Sequence, residues 1–349
     1  MGFLALAVTF LVAVVITPLV IKLAIRIGAV DQPNERKVHT KVMPRLGGLA
    51  IVFSFFLGFL IFTPNGEQAW PIIVGGLIIT IVGFLDDLFQ LPAKVKLLGQ
   101  VMAAVVTVAG GIQMDFIMVP FGDRIEFGYL TIPITIIWII GITNAVNLID
   151  GLDGLAAGVS SIVLATISGM ALMMGNTFVA FVAFLLLGST LGFLVYNFNP
   201  AKIFMGDTGS LFLGYMISVL SIMGLFKNVT FFSIMVPIIV LGVPILDTML
   251  AIIRRAIQRK PLMAPDKYHL HHCLIRLGFS HKETVIFIYA LSCLFSAAAI
   301  IFTRSTVWGS GITLFLLLIL VEIIIEVTGL ISEKYRPLLS LVDNMKKRS

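Results

Sequence analysis

The chain has 349 residues, 59% of them hydrophobic and only 12% charged, with a formal net charge of +6. A soluble domain carries about 25% charged residues, so this composition excludes an ordinary soluble globular fold. The basic surplus suits nucleic acid only if it gathers on one soluble face, and its distribution along the chain excludes that reading.

Leu, Ile, Val and Phe form continuous runs of roughly 20 residues, the length needed to cross a bilayer core as a helix. A β-barrel would show short alternating segments instead. In chain order, the predicted spans are 3–27, 46–63, 70–86, 96–112, 129–149, 155–174, 177–196, 209–226, 231–254, 284–303 and 309–331. The first lacks a basic lead-in and a small-residue cleavage site, so it is expected to be a retained helix and not a signal peptide. About eleven spans place loops 28–45, 87–95, 150–154, 197–208, 255–283 and the C-terminal tail on one side. Counting helix ends, all of the 24 Lys and Arg except Arg124, Lys227 and Arg304 lie there. Basic residues remain cytoplasmic during insertion, which predicts an outside N-terminus and a cytoplasmic C-terminus. The expected fold is an all-α polytopic membrane helical bundle, one domain over 1–349, whose large cytoplasmic loop is 255–283. Cys273 lies in a basic loop and Cys293 in an apolar run, so no disulfide is expected.

The acids and histidines gather on the predicted cytoplasmic side. A transporter would place ionisable groups near mid-membrane, whereas one-sided clustering suits an enzyme that meets a cytosolic substrate and a lipid. "FLDDLFQ" carries Asp86 and Asp87, an adjacent pair that could hold Mg²⁺ or act as base, or simply be solvated at a helix end. "TNAVNLIDGLDGLAAG" spaces Asn144, Asn147, Asp150 and Asp153 three residues apart. "NPAKIFMGDTGSLFLGY" sets Asp207 at a helix start, where free N–H groups suit phosphate oxygens and where simple N-capping is the plain alternative. "APDKYHLHH" carries Asp266, Lys267, His269, His271 and His272, suited to a diphosphate. Zinc is the rival there, but hard oxygen donors dominate elsewhere and favour Mg²⁺, with Mn²⁺ as the substitute. Lys41, Arg45, Lys94 and Lys96 could contact phosphate, although each alone also fits the topology bias. Asp247 lies about two turns inside the membrane edge marked by Arg254 and could pair with a basic neighbour.

"FLDD", "NAVNLIDGLDGLA", "NPAKIFMGDTGSLFLG" and "PDKYHLHH" resemble, in order and spacing, the polyprenyl-phosphate N-acetylhexosamine-1-phosphate transferases. The resemblance implies a bacterial plasma-membrane enzyme with a cytoplasmic active site and undecaprenyl phosphate and a UDP-sugar as substrates. A lipid phosphate oxygen attacks the sugar-bearing phosphorus, UMP leaves, and Mg²⁺ neutralises charge. By position, Asp207 matches the metal ligand. Asp86 and Asp87 match the acidic pair, with Asp87 a second candidate ligand. Asn147, Asp150 and Asp153 match the nucleotide and metal side. Asn197 and Phe204 match residues around uridine, and Lys41 approximately matches a basic residue of the first loop. His269, His271 and His272 match the His motif near the diphosphate or sugar; Asp266, Lys267, Lys94 and Lys96 are expected as further substrate contacts from their place in the loops and not from the resemblance. His-Leu-His-His and "VDQPNERKVH" resemble the N-acetylglucosamine branch more than the muramoyl-pentapeptide branch. UDP-N-acetylglucosamine is therefore the expected donor, for teichoic acid or a similar envelope polymer, and a homodimer is compatible with the sequence. A CDP-alcohol phosphotransferase is disfavoured because "DGLDGLAAG" lacks that motif's Arg.

Overall fold

The computed structural model describes residues 1–31, 42–64, 66–118, 124–226, 234–259, 268–331 and 335–340. The chain is a bundle of helices, and eight among the described residues are long and apolar enough to cross a membrane. In order, the helices are α1 (Gly2–Arg26), α2 (Gly48–Phe62), α3 (Ala69–Phe89), α4 (Ala93–Ala109), α5 (Thr131–Leu148), α6 (Leu155–Met173) and α7 (Thr177–Asn197). They continue as α8 (Gly206–Ser221), α9 (Met235–Val240), α10 (Gly242–Ile257), α11 (Leu270–Arg276), α12 (His281–Arg304) and α13 (Val307–Thr328). A 3-10 turn (Gly128–Leu130), a π-helical extension of α8 (Ile222–Phe226) and two short antiparallel strand pairs are also present. β1 (Val30–Asp31) pairs with β2 (Met43–Pro44), and β3 (Phe116–Met118) pairs with β4 (Arg124–Glu126).

Two differences from the expected spans stand out. The segment 231–254 is not one helix: α9 and α10 meet at Leu241. Pro244 lies at the third position of α10, where its ring is tolerated, but it would clash with the carbonyl of residue i−4 if one helix ran through. Second, the predicted 255–283 loop contains a short helix, α11, which carries His271 and His272.

The bundle is organised around α8. Its hydrophobic stretch is wholly enclosed, packed by α2, α3, α5 and α6, while α1 and α7 pair at the side. Apolar burial cannot drive this packing between lipid-immersed helices, so close approach of small residues and satisfied polar groups carry it. A Cβ on Gly83 would stand 2.6 Å from the Asp207 carbonyl oxygen, so glycine lets α3 touch the start of α8. Buried polar side chains bond across helices. Tyr215 OH lies 2.7 Å from Thr107 Oγ1 and donates to the Pro71 carbonyl at 3.2 Å, and Trp138 Nε1 donates to Ser221 Oγ at 3.1 Å. Without water in a bilayer core, such internal partners are obligatory. The consequence for function is that the last turn of α3, the end of α5 and the first turns of α6, α8 and α12 come together at one end of the bundle. The β3–β4 hairpin lies at the other end.

Candidate active site

Asp86 and Asp87 are neighbours in sequence with different surroundings. Successive helical residues point about 100° apart, so the two carboxylates leave α3 in different directions. Asp87 faces the start of α8 and its side chain is fully buried. It accepts hydrogen bonds from Asp207 N (2.9 Å), Thr208 N (2.9 Å) and Thr208 Oγ1 (2.6 Å), with Arg45 Nη2 at 3.5 Å. The orphan amides and positive end of a helix are thereby satisfied by a carboxylate. Gly206 makes the fit possible: it has φ +70°, and a Cβ there would stand 2.5 Å from an Asp87 oxygen. Asp87 was expected as a metal ligand as well as a catalytic acid, but the structure commits both of its oxygens to holding α8.

Asp86 faces Asp207 instead, and the two carboxylates lie within hydrogen-bonding reach. Lys96, one turn into α4, bridges them, with Nζ 3.2 Å from Asp86 Oδ2 and 2.9 Å from Asp207 Oδ2. The other Asp207 oxygen accepts from Asn147 Nδ2 at 3.2 Å, and the same nitrogen lies 2.7 Å from Ser210 Oγ. Asn144, one turn earlier on α5, pairs with Gln100 of α4 and so braces helices away from the cluster. Like charges in contact need a compensating cation, and one lysine offsets only one of two negative charges.

Asp150 lies in the tight turn between α5 and α6. Burial pushes its carboxyl up to about 8, and the negative fields of Asp207 and Asp87 add to the rise while Arg45 opposes it. Next to it opens a cavity of about 570 Å³, within the range of small-molecule sites. Its lining includes Asp31, Arg45, Asp150, Asp153, Asn199, Phe204, Asp207, His272 and His281.

The remaining predicted residues divide between walls and struts. Asp153 lines the cavity, yet its Oδ2 accepts from Asn199 Nδ2 and Ala201 N, both at 3.0 Å. Asn197 touches the cavity but is buried with both ends used, accepting from Gly154 N and donating to the Ile203 carbonyl. Phe204 lines the cavity, and its backbone is paired with Pro44 and Gly47. His269 is buried, with Nδ1 2.7 Å from Asp247 Oδ2, while Asp247 Oδ1 accepts from Leu270 N. Pairing with a basic neighbour was one of the two roles open to Asp247, and its partner is this histidine at the start of α11. His271 is buried against Gly151, where a Cβ would stand 2.5 Å from its Nε2. Burial, reinforced by His272, pushes His271 down to about 3 although Asp247 opposes the shift, so its ring is neutral near pH 7. His272 is exposed and reaches the cavity. Lys94 is exposed and does not line the cavity. Lys41, Asp266 and Lys267 lie outside the described residues.

Asn199 and His281 were not anticipated as site residues, and Ser210 was expected to offer its backbone N–H and not its hydroxyl. Asn199 sits in "NFNP", Ser210 lies one helical turn beyond Asn147's other partner, and His281 opens a helix behind a Ser280–Glu283 capping box; only the capping box is a signal visible in sequence.

The donor set suits a hard divalent cation. Asp86 and Asp207 offer carboxylate oxygens already forced together. Among the described residues no three His, Cys, Asp or Glu side chains form a closed metal cage. Mg²⁺ typically binds through one or two carboxylates, completing its shell with water and phosphate oxygens.

A polar cavity with clustered carboxylates at the ends of apolar helices defines a multi-pass membrane enzyme. The chain belongs to glycosyl transferase family 4, whose pattern matches residues 69–225. It is 52% identical over 349 residues to the "Probable undecaprenyl-phosphate N-acetylglucosaminyl 1-phosphate transferase" of Bacillus subtilis (strain 168), covering 99% of this chain and 97% of that one. It is 31% identical over 284 residues to the "Undecaprenyl-phosphate alpha-N-acetylglucosaminyl 1-phosphate transferase" of Thermotoga maritima, covering 75% and 85% of the two chains. It is also 34% identical over 237 residues to the "Phospho-N-acetylmuramoyl-pentapeptide-transferase" of Listeria welshimeri, covering 62% and 73%.

Proposed function

We propose that this protein transfers N-acetylglucosamine 1-phosphate from UDP-N-acetylglucosamine to undecaprenyl phosphate, releasing UMP and forming the lipid diphosphate sugar that initiates a cell-envelope polymer such as teichoic acid. The observation that carries the proposal is the Asp86–Lys96–Asp207 cluster beside a cavity of about 570 Å³. An oxygen of the lipid phosphate attacks the sugar-bearing phosphorus, and the bond from that phosphorus to UMP breaks.

Asp207 and Asp86 would hold Mg²⁺, which supplies charge neutralisation for the diphosphate and the departing UMP. Asp86 would also act as the base, its carboxylate taking up the proton of the attacking lipid phosphate when that group is protonated. Asp87 fixes the first turn of α8, and therefore Asp207, through its bonds to Asp207 N and Thr208. Asn147 orients Asp207 by donating to Oδ1. Phe204 offers a face for the uracil ring. His272 meets the diphosphate or sugar, and the neutral His271 packs the turn at Gly151. Phosphoryl transfer asks the protein mainly for positioning and electrostatic stabilisation, which is what these residues supply.

The one-sided distribution of Lys and Arg supports a cytoplasmic active site and an outside N-terminus, with α9 and α10 together serving as one crossing. The 52% identity over 99% of this chain to the Bacillus subtilis N-acetylglucosaminyl 1-phosphate transferase, against 34% over 62% to the muramoyl-pentapeptide transferase, favours UDP-N-acetylglucosamine as donor. Purified protein in detergent, given undecaprenyl phosphate, Mg²⁺ and each UDP-sugar in parallel, should release UMP faster with UDP-N-acetylglucosamine. Preference for the pentapeptide donor would reassign the substrate.

A further inference from the structure

The turn that forms one wall of the cavity, Asp150–Gly151–Leu152–Asp153–Gly154, does not hold itself in place. It contains two glycines, and Gly154 takes φ +77° to start α6. Such a segment has many alternative conformations in isolation, and a wall that presents carboxylates to a ligand requires one of them. Its constraints come from elsewhere in the fold. The α7–α8 connection contributes Asn199 Nδ2 and Ala201 N to Asp153 Oδ2, and Asn197 Oδ1 to Gly154 N. From α12, Tyr289 OH donates to the Gly154 carbonyl. The last constraint is His281, the first residue of α12, whose Nε2 accepts from Asp153 N at 3.0 Å. His281 both anchors this turn and lines the cavity.

We infer that His281 is a positioning residue of the donor pocket, fixing the Asp153 backbone through Nε2 so that the wall is preorganised for the uridine diphosphate sugar. The inference deepens the proposed function and rests on it for the identity of the ligand. Its chemistry is specific. To accept from an amide, Nε2 must be unprotonated, so the ring is neutral with its proton on Nδ1. His281 therefore acts here as an acceptor and not as a cation for the diphosphate. The capping box of Ser280 and Glu283, with Ser280 N donating to Glu283 Oε2 at 2.8 Å, fixes where α12 begins and hence where the ring stands. The link joins α12, remote in sequence, to the motif that ends α5.

Three variants separate this role from its rivals. His281→Ala removes the acceptor. His281→Gln restores an acceptor oxygen on a side chain of similar reach. His281→Lys offers positive charge and no acceptor. Hydrogen–deuterium exchange on the full-length protein in detergent reads the bond directly and needs no turnover. Peptides covering 151–155 should exchange faster in the Ala and Lys variants and near the native rate in Gln. In steady state the Ala and Lys variants should raise KM for UDP-N-acetylglucosamine by about fivefold, the scale of one hydrogen bond, with kcat within about twofold and KM for undecaprenyl phosphate unchanged. Unaltered exchange in His281→Ala overturns the inference whether or not the protein shows the proposed activity. A Lys variant that works while Gln fails would instead make His281 a cation for the diphosphate. A wild-type protein without UMP release would remove the proposed reaction but leave the exchange result to decide the role of His281 in the fold.

Discussion

Replacing Asp87 with Asn should damage the fold as well as the chemistry, and replacing Asp86 with Asn should not. The Asp87 side chain is fully buried and its two oxygens receive Asp207 N, Thr208 N and Thr208 Oγ1 at 2.6–2.9 Å. Asparagine keeps one acceptor oxygen and turns an NH₂ toward a backbone N–H, so at least one buried amide is left unsatisfied. That costs about 1–3 kcal/mol. Losing the charge weakens the remaining bonds and removes the compensation for the α8 N-terminus, a further ~1 kcal/mol. The sum, about 2–4 kcal/mol, should lower the melting temperature in detergent by several degrees and displace Asp207, cutting UMP release as well. Asp86 has Lys96 as its cation and Asp207 as a repulsive neighbour. Asp86→Asn relieves that repulsion, so its melting temperature should equal or exceed the wild type's while turnover falls. The measurements are thermal unfolding by intrinsic fluorescence and UMP release on the same preparations. Asp87→Asn melting like the wild type, or Asp86→Asn losing as much stability as Asp87→Asn, would refute the division of roles.

Lys96→Met should leave Asp86 and Asp207 in contact with no cation, lowering the melting temperature in chelator, and added Mg²⁺ should recover part of the loss; an identical Mg²⁺ response in wild type and variant would remove Lys96 from the cluster. Asp150 supplies a pH test. Its folded carboxyl is held up to about 8, against an unfolded value near ~3.9. Between those values the folded state binds the extra proton, so this group's contribution to stability is full at low pH and is lost as pH rises toward 8. Melting temperature in chelator should therefore fall between pH 6 and 8 more steeply in the wild type than in Asp150→Asn, and parallel slopes would contradict the burial of this carboxyl.

The membrane class and most helices were legible because they rest on apolar run length, and the motifs at helix ends pointed to the region where Asp86, Asn147, Asp150 and Asp207 gather. Asp207 and Asn147 lie together in space, and Lys96, expected as a substrate contact or a topological charge, bridges Asp86 and Asp207. What could not be read was the division of labour. "DD" does not disclose that one carboxylate faces the start of α8 and the other the Asp207 carboxylate and Lys96, since that depends on the rotation of α3 against α8. The three-residue spacing of Asn144 and Asn147 puts both on one face of α5, but one turn of rise separates a brace to Gln100 from a ligand to Asp207. Asn197 and Asp153 are polar residues at the cavity whose hydrogen bonds are used by backbone groups, a fact fixed by loops distant in sequence. His281 was hidden for the same reason: its partner, the Asp153 amide, lies 128 residues away. The break between α9 and α10 and the short helix α11 escaped because apolar periodicity does not register a proline at a helix start or a seven-residue helix in a polar loop.

The most direct test of the central claim compares wild type with Asp207→Asn for UMP release from UDP-N-acetylglucosamine in the presence of undecaprenyl phosphate, with and without Mg²⁺. The wild type should release UMP in step with lipid diphosphate sugar only when Mg²⁺ is present, and Asp207→Asn should be slower by at least about 10²-fold at an unchanged melting temperature. A folded wild type that releases no UMP, or an Asp207→Asn protein that turns over like the wild type, would contradict the account.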